Sequence, residues 1–395
     1  MSSSLSSPLL DFTFKIYKQL AAADGQQNVV FSPVSLSAAL SLALLGTGST
    51  TGQQLALALF GKTIGHHSAA DSEYESLAKQ IGELFSATLA NNSTAVQNAN
   101  LIYTDHKFTV EEEYRRLVTK YLSATARQLD FKSREAVQVI NADISSATNG
   151  KIQDIIQSID NMTVAILANA LYFKGVWKSQ FNKDLTFTDK FTTASGNKID
   201  VQMMYQHYYQ RLPFGYSQRL KTRAVELDYS NCEATMLLLL PDDDKEDNQT
   251  LGQLVSQLNA ETLNELVAGM RRIEVDLYLP KFKVESSHQL IPALNKSGIT
   301  EMFDQSGAAD FSRLSANGGV YISQVYQKVV IDMSEEGTEA AAATVIVANC
   351  MSMPRMETFK ADRPFLYLLV TKSAGDDNNQ ISSILFMGEC NDPSA

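Results

Sequence analysis

The stretch Glu335-Glu336-Gly337-Thr338-Glu339-Ala340-Ala341-Ala342-Ala343-Thr344 decides how this chain is read. It follows a strand-like run, VYISQVYQKVVIDM from Val320 to Met333, and precedes the β-branched segment that leads from Val345 to Arg355. Consecutive alanines favour a helix, so a helical linker is one reading. An extended chain is the other: Thr338, Ala340, Ala342 and Thr344 then share one face, and Glu339 points to the opposite one. Small side chains on that face enter a crowded sheet without a large steric cost, while the charge stays at the surface. The stretch accommodates two conformations.

Working outward, the chain has 395 residues, with 44% hydrophobic and 19% charged. That balance supplies a large core and rules out general disorder, leaving a soluble globular protein. A prior of about 150 residues per domain divides the length into two or three units, yet no internal repeat or composition break marks a boundary. The 33 Lys and Arg against 44 Asp and Glu give a formal charge of -11, which repels a phosphate backbone. With no dense basic tract, a nucleic-acid partner is not expected. The apolar runs Val34 to Leu45 and Val164 to Phe173 are too short to span a membrane. The opening MSSSLSSPLLDFTFKIYKQL lacks a basic leader with an apolar core, so no cleavable secretory signal is expected.

Cys232, Cys350 and Cys390 are too few for a disulfide framework and lack metal-ligand spacing, which fits a reducing compartment. The sequons at Asn91, Asn92, Asn161, Asn248 and Asn295 read as chance matches. His66, His67, His106, His207 and His288 form no tight cluster, and neither an H-E-x-x-H nor a G-x-S-x-G motif occurs. Gly46, Gly48 and Gly52 follow a helical run and lack a phosphate-directed Lys, so they read as a helix end. The acidic segment Asp242 to Gln249 reads as a solvated loop.

The first third is helix-rich: Asp11 to Ala23, Ser35 to Leu45, Gly52 to Phe60 and Glu73 to Leu89. Ser32 is placed to cap the second of these, with Pro33 in its first turn. Ala99 to Tyr103 then reads as a strand, and Val110 to Tyr121 and Val137 to Ser146 as helices before a turn at Asn149-Gly150. From Thr163 onward strands dominate: TVAILANALYF, TRAVELDY, EATMLLLLP, RIEVDLYLP ending at Pro280, FLYLLVTK and ISSILFMG. One helix is expected between Gln249 and Val267.

The hinge-like EEGTEAAAAT, together with the segment from Asn169 to Trp177 (NALYFKGVW), FSPVS at Phe31 to Ser35, LPKF at Leu279 to Phe282 and GAADFS at Gly307 to Ser312, resembles the serpin family of serine protease inhibitors. RPFL at Arg363 to Leu366 and LFMG at Leu385 to Gly388 extend the resemblance across Leu10 to Cys390. It implies an α+β fold with three β-sheets, about nine helices and an exposed reactive-centre loop. A single domain over 1–395 is expected, with 335–355 forming hinge and loop. The chain is then no enzyme. The resemblance implies a suicide substrate: a serine protease attacks the bait bond, and the cleaved loop inserts into the central sheet before the acyl-enzyme hydrolyses. No cofactor is implied.

Counting from Gly337 by the family's spacing places the bait bond at Met351-Ser352, and Arg355-Met356 is the alternative, requiring a longer hinge. The apolar, flexible thioether of Met351 suits an elastase-like or chymotrypsin-like pocket. The hinge runs through Glu335, Glu336, Gly337, Thr338, Glu339, Ala340, Ala341, Ala342, Ala343 and Thr344. Ser32, Ser35 and Asn169 match the family's shutter, where Gln327 stands in place of the usual histidine. Lys281 and Glu335 match the breach pair, with Trp177 packing beside them, and Asp143 replaces the tryptophan often found in the helix over the sheet. The uninterrupted Ala340 to Ala343 run favours an inhibitor over a storage, chaperone or carrier serpin. The termini resemble the ovalbumin-like intracellular group, which implies a cytoplasmic monomer, with non-conventional secretion as the alternative.

Overall fold

A computed structural model describes residues 3–63, 71–90, 92–243, 250–335, 356–372 and 380–395. The chain begins with α1 (Ser3–Asp24), β1 (Val29–Phe31), α2 (Pro33–Gly46), α3 (Ser49–Phe60), α4 (Asp71–Ala90), β2 (Val96–Asp105), α5 (Glu112–Leu122), β3 (Thr125–Leu129), α6 (Glu135–Ala147) and β4 (Ala165–Phe173). It continues through β5 (Phe187–Thr192), β6 (Lys198–Ser217), β7 (Thr222–Asp228), β8 (Thr235–Pro241), α7 (Leu251–Gln257), α8 (Ala260–Ala268), β9 (Arg271–Pro280) and β10 (Phe282–Gln289). The last elements are α9 (Ile291–Lys296), β11 (Ile322–Met333), β12 (Met356–Lys360), β13 (Phe365–Lys372) and β14 (Ile381–Cys390). The α+β class and the helix number, nine among the described residues, agree with the sequence reading. The helix expected up to Val267 is two, α7 and α8, because Asn259 starts a second capping box after Leu258 turns extended.

Contacts group the chain into two compact units, one from 1–19, 31–172 and 285–330, the other from 20–30, 173–284 and 331–395. In the first, a five-stranded sheet runs in the order β10-β11-β4-β2-β3. β4 is buried along its whole length, which explains its nearly unbroken apolar sequence. Val164 N, at the start of β4, donates to Ser323 Oγ at the start of β11 at 2.9 Å, and Gln327 bonds Asn169 further along both strands. The two neighbours therefore run in the same direction. α2 is buried on every side; Ser32 Oγ accepts from Ser35 N at 3.3 Å and Pro33 occupies the first turn, as expected.

α6 covers the sheet with Ile140 and Ile144, which join Leu101, Ile166, Ala168 and Val330 in one apolar cluster. Asp143 on α6 takes over a polar task there. It accepts from the buried Tyr103 hydroxyl at 3.0 Å, and Arg127 donates to both its carboxylate oxygens at 2.8 and 3.0 Å. The side chain that replaces an expected tryptophan thus holds two partners on β2 and β3.

In the second unit the strand order is β1-β14-β13-β8-β7-β6-β9-β12, with β5 also paired to β6. The described strands join into two ladders where the family resemblance implies three sheets, and β6 is the reason. It pairs with β9 from Met203 to Tyr208, breaks register, resumes with β9 from Leu212 to Phe214, and pairs with β7 from Phe214 to Ser217. Arg211 at the break has a φ of 58°, so one bent strand serves two pairings. Its sequence, KIDVQMMYQHYYQRLPFGYS, gives no clean alternation, which hid it from sequence reading.

Asp143→Ala should lower stability by about 1–3 kcal/mol, because the Tyr103 hydroxyl then lies buried without its acceptor. Denaturant unfolding checks this, and adding Tyr103→Phe to the alanine variant should recover part of the loss.

Candidate functional site

The first cluster is a buried polar network in the five-stranded sheet. Gln327 on β11 accepts from Ser32 N and donates to Ser32 O, both at 2.9 Å, and its Nε2 also donates to Asn169 Oδ1 on β4 at 2.7 Å. Asn169 Nδ2 donates onward to Ser35 Oγ at 2.5 Å, to Asn100 Oδ1 on β2 at 2.6 Å and to Ala99 O at 3.3 Å. Ser32, Ser35, Asn169 and Gln327 are all buried. The structure therefore brings together the four residues that the sequence grouped and adds Asn100, whose only sequence signal was a polar residue inside an apolar strand. Neither donor nor acceptor here is ionisable; an amide does both jobs at once.

The second cluster surrounds Glu335, just beyond the end of β11. Lys281 Nζ lies 2.8 Å from Glu335 Oε2, the Thr186 hydroxyl donates to Oε1 at 2.9 Å, and Phe181 N donates to Glu335 O at 3.0 Å. The Glu335 side chain is only 6% exposed. Burial by itself would raise its pKa; the hydrogen bonds from Lys281, from its own backbone amide and from Thr186 outweigh that and hold the carboxyl below the ordinary glutamate range. Trp177 Nε1 donates to Ser334 O at 2.9 Å, and the indole stacks on Tyr229 with centroids 4.4 Å apart. Lys281, Glu335 and Trp177 were expected together. Thr186, Phe181 and Tyr229 were not, since each joins from a distant segment without a motif.

Hinge residues Glu336 to Thr344, both Met351 and Ser352, and Arg355 lie outside the described residues. Met356 is the first residue of β12, 55% exposed and opposite Glu274 of β9 in parallel register. Cys232 and Cys390 are free thiols; burial raises the first to about 11 and the second well above the ordinary value, so neither is an activated nucleophile. Asp105, His106 and Asp130 gather at the ends of β2 and β3, with the Lys107 ammonium 3.9 Å from Asp105 as a counter-charge of the protein's own. His207 Nδ1 lies 2.8 Å from Asp276, whose same oxygen accepts from Tyr205. Asn92 is buried with its amide on Thr88 O, whereas Asn161 and Asn295 are exposed.

The model of the family Serpin (serine protease inhibitor) matches residues 8–393. The chain belongs to the serpin family. Leukocyte elastase inhibitor of Xenopus laevis is 34% identical over 395 residues, covering 98% of this chain and 99% of that protein. The human leukocyte elastase inhibitor is 34% identical with the same coverage, and Iris of Ixodes ricinus also reaches 34% over 98% of this chain and 99% of its own. Uncleaved ovalbumin superposes with a TM-score of 0.83 at 25% identity, covering 99% of this chain and 100% of the other. This serpin is thus related to proteins of the ovalbumin and leukocyte elastase inhibitor group and is not an enzyme.

Removing the ammonium from Glu335 has a definite pH signature. A carboxyl held below its ordinary value of about 4.3 contributes stability that is complete above that value and is lost as pH falls through its folded-state pKa. Lys281→Ala should therefore cost about 1–3 kcal/mol at pH 7, and the deficit should shrink on acidification below the glutamate range, as read by denaturant unfolding at several pH values.

Proposed function

We propose that this serpin inhibits an elastase-like or chymotrypsin-like serine protease by presenting Met351-Ser352 as bait and inserting the cleaved segment into the five-stranded sheet. The observation that carries the reading is the direct pairing of β11 with β4 in parallel orientation. A segment that leaves the end of β11 and doubles back is antiparallel to both strands, so once they separate it can hydrogen-bond to each. The network of Ser32, Ser35, Asn169 and Gln327 spans that seam and acts as the shutter. Glu335, held by Lys281, Thr186 and Phe181 with Trp177 at Ser334, acts as the breach where the hinge Glu335 to Thr344 enters.

The small residues Thr338, Ala340, Ala342 and Thr344 fit the inward face of such a strand. Arg355-Met356 is the less suitable bait, because Met356 is already paired to β9 and a scissile bond must be free to enter a protease cleft. The relatives named leukocyte elastase inhibitor support the choice of target class. A cytoplasmic site of action, with non-conventional secretion as the alternative, belongs to the same proposal. The unbroken family match over 8–393 supports one serpin domain across the chain, and a monomer before complex formation suffices for the mechanism.

Mixing the protein with trypsin-, chymotrypsin- and elastase-like proteases should give an SDS-resistant complex and a released peptide beginning at Ser352 by mass spectrometry. Ala342→Arg should still be cleaved after Met351, yet the complex fraction should fall at least about tenfold, since a guanidinium cannot enter the sheet unpaired. Cleavage of the wild type without complex at any protease ratio would instead make this a substrate-like serpin.

A further inference from the structure

At one end of the five-stranded sheet, away from both clusters described above, three metal-ligating side chains converge. β2 and β3 are parallel with Asp105 opposite Leu129, and His106 N donates to Leu129 O at 2.8 Å. That register brings Asp105 and His106 against Asp130, the residue that follows β3 directly. Asp105 N donates to Val164 O at 2.9 Å, so the start of β4 backs the same corner. The Asp105 carboxylate is 6% exposed, whereas the His106 and Asp130 side chains are half exposed. His106 Nδ1 lies 3.6 Å from Asp105 Oδ1 and 3.6 Å from Asp130 Oδ1, and one ligand atom from each residue lies within 4.8 Å of the other two. At 3.6 Å neither contact is a hydrogen bond. Ligand atoms around a tetrahedral zinc ion, each about 2.0–2.2 Å from the metal, stand about 3.3–3.6 Å apart.

We propose that Asp105, His106 and Asp130 form a zinc site that staples the end of β3, the edge strand of its sheet, to β2. One imidazole nitrogen with two carboxylate oxygens is a donor set for a borderline transition metal, whereas calcium asks for six to eight oxygens. Three protein ligands leave the remaining position to water, on the side where His106 and Asp130 meet solvent. The carboxylates are already oriented: Asp105 Oδ1 accepts from Lys107 N at 3.2 Å, and Asp130 Oδ1 from Lys132 N at 3.0 Å. A buried carboxylate calls for a compensating charge. The Lys107 ammonium supplies it only loosely, at 3.9 Å on a side chain that is 58% exposed, and its flexible stem lets it withdraw when a dication arrives. The site is independent of the protease reading, because it is built on the register of β2 and β3 alone.

The full-length, metal-free protein with its thiols reduced would be titrated with ZnCl2 by isothermal calorimetry, and its thermal midpoint read with and without the ion. Zinc at a hundredfold excess over Kd should raise the wild-type midpoint by about 3–6 °C, and CaCl2 at the same concentration should not. His106→Ala and Asp130→Asn should keep the metal-free midpoint, since the first side chain is half exposed and asparagine still accepts from Lys132 N. Both should weaken zinc binding at least about tenfold. Lys107→Gln should tighten it about threefold, because the competing cation is gone. Zinc affinity that is equal in wild type, His106→Ala and Asp130→Asn places the ion elsewhere and overturns the site. A wild type that takes up no zinc below about 1 mM, or a Lys107→Gln variant that binds it more weakly, overturns it as well.

Discussion

One carboxamide, that of Gln327, joins three segments at a single point: its own strand β11, Asn169 on β4 and the Ser32 backbone at the head of α2. Each of those groups is buried, so each needs a partner, and Gln327 supplies an acceptor and donors simultaneously. Asn169 carries the connection to Ser35 and to Asn100 on β2. At this point the seam between β4 and β11 is thus closed by amides and hydroxyls, beside the apolar cluster that Val330 of β11 shares with Ile166 and Ala168 of β4. A histidine at an unperturbed pKa would change charge between pH 5 and 8; a glutamine does not, so this position contributes no titration in that range.

Both ends of the segment 336–355 are anchored within one compact unit. At its start Glu335 is tied to Lys281, Thr186 and Phe181; just past its end Met356 to Lys360 pair with Glu274 to Tyr278 of β9. A strand cannot thread fully alongside β11 while its far end is fixed in the β9 ladder. Hydrolysis at the proposed bait bond, Met351-Ser352, would remove that restraint and leave the β12 pairing intact. On the proposed reading this is why bait cleavage and conformational change belong to one event.

Elements with strong periodicity or an unbroken apolar run were legible: α2 with its Ser32 cap, β4, β8, β13 and β14 all lie where the pattern put them. β6 was not, because its bend at Arg211 destroys the alternation that marks a strand. The polar clusters were legible only through family resemblance, since Ser32, Asn169 and Gln327 are separated by more than a hundred residues each. Contacts that depend on folded geometry alone stayed hidden. Thr186 and Phe181 around Glu335, the Tyr229 stack on Trp177, and the Tyr103, Asp143 and Arg127 trio have no local motif to announce them.

The distribution of polar groups has its own energetic logic. Parting two strands that share an apolar seam exposes hydrocarbon to water, at about 25 cal/mol per Å². Parting a hydrogen-bonded seam exchanges protein partners for water, and each such bond is worth only about 0.5–1.5 kcal/mol net. Around Asn169 the seam is of the second kind, whereas the α6 face of β4 buries Ile166, Ala168 and Ala170 in an apolar cluster. Val330 on β11 belongs to that cluster too, so parting β4 from β11 gives up part of it along with the polar bonds at Asn169. At the exit Ser334 and Glu335 are retained by hydrogen bonds and one ion pair. Polar closure at both places makes the closed conformation specific, because these directional bonds are satisfied in one arrangement of the strands.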